Sequence, residues 1–164
     1  MSTRSCIARS TGEGRFTGVY HHWDGYPPSL GATLFRIYRR HFKQDLDAML
    51  AFLIEQHPAG WSTINNADFT LPAGYQETKY RKKRNGDDDY SKPIPHGPIC
   101  YCHGGRHEKA LLVTEASDCG MEWAYVWSAS TPTIRYRLKA RTSAANTWSE
   151  CSATAQPDTS AGRK

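Results

Sequence analysis

"VYHHWDGYPPSLG", residues 19–31, decides how this chain folds. Residues before it alternate like a strand, residues after it repeat at helical spacing, and the stretch itself can continue neither. Asp24-Gly25 favours a turn, and Pro27 and Pro28 remove two backbone donors. Upstream, residues 5–9 and 15–22 read as two strands joined by a "STGEG" turn. In the second strand Phe16, Gly18, Tyr20 and His22 fall on one side, with Arg15, Thr17, Val19 and His21 on the other. Downstream, Pro28 suits the first turn of a helix, and Leu30, Leu34, Ile37 and Tyr38 share one helical face. After a break around residues 41–43, Asp45 caps a second helix. Leu46, Met49, Leu50 and Leu53 form its apolar face, and "HPAG" at 57–60 stops it.

Residues 61–98 read as an ordered loop pinned by Trp61, Ile64, Phe69, Leu71 and Tyr75. Its charged part, 78–97, sets a basic run against three aspartates across Asn85-Gly86, as a solvated excursion or a basic arm for phosphates. Ile99–His103 reads as a strand, and Leu111–Val113 as a strand or a helix end. "MEWAYVWSAS" with "TIRYRLKA" forms a second hairpin whose Trp123, Tyr125 and Trp127 face covers the helices. From residue 141 Ser, Thr and Ala dominate, which predicts a flexible tail over 141–164. The expected fold is α+β: an antiparallel sheet of two hairpins plus an extra strand, with two helices packed on one face, in a single domain over 1–140.

A net charge of +5 permits an anionic partner such as a nucleotide, a nucleic acid or an acidic protein without requiring one. No apolar leader opens the sequence and no run approaches membrane length. The expectation is a cytoplasmic protein with no membrane partner. Its five cysteines then read as free thiols or metal ligands in preference to disulfides.

Three polar segments can carry chemistry. In the opening run, His22 and Asp24 have the spacing of a base and its orienter, while Tyr20, Trp23 and Tyr26 can stack or hydrogen-bond. The same residues also suit a plain turn, with Asp24 bonding its own backbone and Trp23 pinned to the core. In "CYCHGGRHE", residues 100–108, Cys100, Cys102, His103 and His107 are zinc-ligand types, with Cys119 or His96 available to complete a set. Cys-x-Cys is an unusual spacing for one zinc, and in an extended strand His103 points away from both cysteines. No metal ligands are therefore assigned and no cofactor is specified. The competing reading is a polar loop in which Arg106 clamps an anion, Glu108 pairs with it and His103 titrates. Third, Asp118 and Glu122 flank Cys119-Gly120 at a strand entrance.

With these residues in view, "STRSCIAR" and "VYHHWDGYPPSLG" resemble a group of small, largely uncharacterised phage and bacterial proteins. These carry an N-terminal Thr-Arg-Ser strand and a Tyr-x-His-Trp/Phe-Asp-Gly-Tyr-Pro motif before a helix. Thr3, Arg4, Ser5, Tyr20, His22, Trp23, Asp24, Gly25, Tyr26, Pro27 and Gly31 match that pattern. His103, Arg106 and Glu108 match a second, weaker element, and Glu122 and Tyr125 a third. Gly104, Gly105 and His107 depart from the group, which weakens transfer of the second element. The resemblance implies a mobile-element origin and a role in countering host defence.

The leading functional expectation is a protein that binds and sequesters a small, anionic, nucleotide-like ligand. Arg4, Tyr20, Trp23, Tyr26, Arg106 and Glu122 would contact it. The first alternative is a hydrolase or phosphodiesterase using His22, Asp24, His103 and Glu108. The second is an interaction module with a host protein as partner, or with nucleic acid through the basic segment at 79–84, nucleic acid being the less favoured partner.

Overall fold

In the computed structural model, residues 3–74, 80–117, 119–128, 132–137 and 148–152 are described. Asp118, Tyr75 and residues 129–131, in the expected second hairpin, lie outside them. The alternating run folds as its pattern predicts. β1 (Ser5–Gly12) and β2 (Arg15–His21) pair antiparallel, with Ser5 opposite His21 and Ser10 opposite Phe16. The turn is tighter than the five residues expected: Glu13 and Gly14 make it, both at positive φ, 51° and 76°. Alternation sorts the side chains, Ile7 and Val19 to one core cluster and Cys6, Ala8 and Phe16 to another.

Past the opening stretch, a single π-helical turn at Pro27–Gly31 leads into α1 (Ala32–Arg40). The prolines sit at its first positions, where a helix leaves N–H groups unpaired in any case. Arg39 and Arg40 occupy the last turn, where cations oppose the helix dipole. Asp45 caps α2 (Leu46–Leu50), its Oδ1 accepting from the Ala48 N–H at 2.9 Å, and a wider turn at Ala51–Glu55 extends the helix. Leu30, Leu34, Ile37, Met49, Leu50 and Leu53 bury against Ile7, Val19, Trp61, Tyr125 and Trp127. Each such side chain stabilises the fold by about 1.5–3 kcal/mol. Both helices thus lie on one face of the sheet, beneath the aromatic stripe read from the second hairpin. The other face carries a smaller cluster in which Cys6, Ala8 and Phe16 meet Val113, Met121, Ala124 and Val126.

Chain order continues with β3 (Trp61–Thr63), β4 (Tyr80–Lys82), β5 (Asp88–Pro93), β6 (Ile99–Cys100), β7 (Leu112–Thr114), β8 (Trp123–Trp127), β9 (Pro132–Arg137) and β10 (Trp148–Ser152). The main sheet runs β10-β9-β8-β1-β2-β3-β6, with β7 also paired to β2. It corrects the expected all-antiparallel sheet of two hairpins and one strand, because β1 with β8 and β2 with β3 are parallel. The second of these follows from the helices. A chain that leaves β2 through two helices has enough length to cross over and re-enter in the same direction.

The charged segment within 78–97 is more ordered than an excursion. β4 and β5 form a separate ribbon, turned at Asn85-Gly86 with Gly86 at φ 90° and tied by Lys82 Nζ to Asp88 Oδ1 at 2.8 Å. From the Ser/Thr/Ala-rich end, Trp148–Ser152 pairs with β9 as an outer strand, and the remainder of 141–164 lies outside the described residues. Backbone ladder bonds need no apolar periodicity, so composition could not reveal this strand. Among the described residues, no helix is long and apolar enough to cross a membrane.

Candidate functional site

The end of β2 sends its side chains two ways. His21 is fully buried. Its Nε2 accepts from the Ile64 N–H at 3.3 Å, so its Nδ1 carries the proton that faces Ser5 Oγ at 3.4 Å. This histidine is a bracing group. Gly25 braces as well: a Cβ there would lie 2.3 Å from Ser5 Oγ, so only glycine fits. Tyr125 Oη donates to the Gly25 carbonyl at 2.8 Å. Asp24 sits at φ 54°, and Asn65 Nδ2 donates to the carbonyls of Trp23 and Asp24. The Asp-Gly part of the motif therefore fixes the turn.

Tyr20 and His22 are partly buried and Trp23 is exposed. Together with Tyr101, Arg106 and Glu108 they line an open groove of about 460 Å³, which Ala59 and Ser62 help to complete. The His22 and Trp23 N–H groups donate to the carbonyls of Trp61 and Ser62, extending the β2–β3 ladder and holding this wall. Tyr20 Oη is 2.9 Å from His22 Nδ1. Burial raises the Tyr20 phenol above its ordinary pKa, against a smaller opposing pull from Arg4. The His22 ring stands edge-on to Trp23 at 4.7 Å, and Trp23 is 44% exposed, leaving indole surface open to the groove. Elsewhere in the lining, the Arg106 guanidinium lies 4.8 Å from the centroid of Tyr101 and 2.7 Å from Glu108 Oε1. The Glu108 N–H donates to the Tyr101 carbonyl at 2.8 Å, and the Tyr101 N–H to Gly60 at 3.0 Å.

Five of the residues singled out from sequence thus meet: Tyr20, His22, Trp23, Arg106 and Glu108. Arg4, Asp24, Tyr26 and Glu122 are not among the lining residues. Arg4 passes Gly120, where a Cβ would come within 3.0 Å of its Nη1, and its carbonyl accepts from the Glu122 N–H. The Tyr26 carbonyl accepts from the N–H groups of Ser29 and Leu30 at the start of the helical segment.

His103 belongs to a second constellation. The expected strand over 99–103 ends at Cys100, and the chain bends through Tyr101–His103. That bend overturns the expectation that His103 points away from the cysteines. Cys100 Sγ lies 3.4 Å from His103 Nδ1, and Cys102 Sγ 3.4 Å from Nδ1 of His57. One ligand atom from each of these four residues lies within 4.8 Å of all the others. Cys100 and His57 are buried, Cys102 is partly buried and His103 is exposed. Burial, and then the neighbouring His103, lowers the His57 pKa to about 4; burial, and then Cys102, pushes the Cys100 thiol up to about 11. His96, His107 and Cys119, weighed from sequence as ligand types, are not in the cluster.

His57 was missed because it reads as a helix stop. The signal was present all the same: Leu46, Met49, Leu50 and Leu53 step along one face, and the next step lands on residue 57. A histidine on the apolar face of a helix is buried, and a buried histidine needs a partner.

No family model, curated protein or solved structure matches this chain.

Proposed function

We propose that the protein binds a small, anionic, nucleotide-like ligand in the groove that Trp23 and Arg106 line. One observation carries this reading: an exposed indole and a guanidinium line the same groove, whose volume suits such a ligand. Trp23 would stack a planar ring. Arg106, held in place by Glu108 and the Tyr101 ring, would bring its guanidinium charge to the ligand's anionic group. His22, oriented by Tyr20, would hydrogen-bond the ligand's polar edge.

Binding is favoured over hydrolysis because the acid–base candidates are dispersed. Asp24 does not line the groove, His103 sits with the cysteines, and Glu108 is engaged with Arg106. A protein that holds its ligand unchanged suits sequestration of a host signal, the role implied by the phage and bacterial resemblance. The test is a thermal-shift and calorimetric panel of mono-, cyclic and ADP-ribose-type nucleotides against the wild type and Arg106→Ala. At least one ligand should bind, and Arg106→Ala should weaken it about tenfold or more. No binding by any member of the panel refutes the reading. Recovery of chemically altered ligand favours the hydrolase instead.

A further inference from the structure

We propose that His57, Cys100, Cys102 and His103 form a structural zinc site that staples the segment after β6 to the end of the second helix. The site stands on its own geometry and does not rest on the groove reading.

The donor set is the first argument. Two thiols and two imidazoles are the ligand types of structural zinc centres, and softer donors of this kind disfavour magnesium or calcium. Distance is the second. Zinc bonds of about 2.3 Å to sulfur and 2.0 Å to nitrogen set sulfur–nitrogen edges of roughly 3.5 Å in a tetrahedron. Both measured sulfur–nitrogen pairs are at 3.4 Å. The widest separation, 4.8 Å at most, has to close by roughly one ångström to reach the tetrahedral value.

Charge is the third argument. Zinc replaces the protons of the two thiols, which leave to solvent, and the two thiolates neutralise the dication. The resulting centre is electrically neutral, as partial burial requires. The exposed edge at His103 gives the ion a way in. With all four positions filled by protein, no coordination site remains for substrate, so the role is structural.

The fold supplies a reason for such a staple. Tyr101–Leu111 is irregular, with Gly104 and His107 at positive φ. It carries Tyr101 between two of the ligands, and Arg106 and Glu108 shortly after. His57 itself packs against the rings of Phe52 and Trp61, at 5.0 and 4.4 Å, so one ligand is set by the core before any metal arrives.

The test is to strip the purified full-length chain with a chelator, return zinc alone, and count the metal after desalting. One zinc per chain is expected, with affinity measured by competition against a chromophoric chelator. His103→Ala, a change at the exposed ligand, should weaken zinc at least about tenfold, while His107→Ala should not change it. Cobalt in place of zinc should give the thiolate-to-cobalt charge-transfer band. The proposal is overturned if the wild type retains no zinc, if His107→Ala weakens zinc as much as His103→Ala, or if the cobalt form lacks that band.

Discussion

Tyr125→Phe removes one oxygen and isolates the link between the second hairpin and the opening turn. Tyr125 Oη donates to the Gly25 carbonyl at 2.8 Å, with both residues buried. Phenylalanine keeps the ring, so packing against the helices is retained. What changes is the Gly25 carbonyl, which loses that donor away from water. Losing one partner of a buried hydrogen bond costs about 1–3 kcal/mol. For a domain of this size each kcal/mol moves Tm by about 2–4 °C, so a cost near 2 kcal/mol lowers Tm by about 4–8 °C. In urea the midpoint should fall by roughly 1 M. Tyr90, 73% exposed on the small ribbon, is the control: Tyr90→Phe should change stability by less than about 0.5 kcal/mol. If the two variants unfold together with the wild type in thermal and urea melts, the bond does not hold the turn.

Two further outcomes follow from geometry elsewhere. Gly18→Ala puts a methyl 2.1 Å from the Ile7 carbonyl oxygen and 2.6 Å from Ala8 Cα, so the β1–β2 pair must part; a loss of about 3 kcal/mol is expected by urea denaturation, and wild-type stability would refute the close approach. Hydrogen bonds from Thr70, the hydroxyl first, hold the Asp68 carboxyl below the usual range; the small stability they add is present above the ordinary carboxylate pKa and is lost as pH falls through the lowered one. Thr70→Val should raise the Asp68 pKa in an NMR titration, and an unmoved value would assign the shift elsewhere.

The parts of the fold legible in the sequence are those written in local pattern. Alternation set the first hairpin, Leu and Ile spacing set α1, and Asp45 announced α2. The parallel pairings were not legible, because Ser5 meets Trp123 and His21 meets Trp61 through contacts that no local window contains. β3 and β6 are also too short to show alternation. At the groove, residue chemistry singled out Tyr20, His22, Trp23, Arg106 and Glu108 one by one, but that they line one groove is a tertiary fact no local pattern states. It could not tell that Asp24 serves the turn, because a turn and a site use the same residue types. The His/Cys cluster was hidden by two readings, that the strand runs through His103 and that His57 is only a helix stop.

The position of β1 also shapes how the chain must be made. One side of β1 is covered almost at once by β2, its hairpin partner. The other side waits for β8, so during synthesis a strand with apolar Cys6, Ile7 and Ala8 and unpaired backbone groups is exposed until Trp123–Trp127 has left the ribosome. A ribosome stalled before that point would hold a sticky, half-built sheet. A cell producing this protein quickly would therefore meet its aggregation hazard in the nascent chain, before the last strands close the sheet.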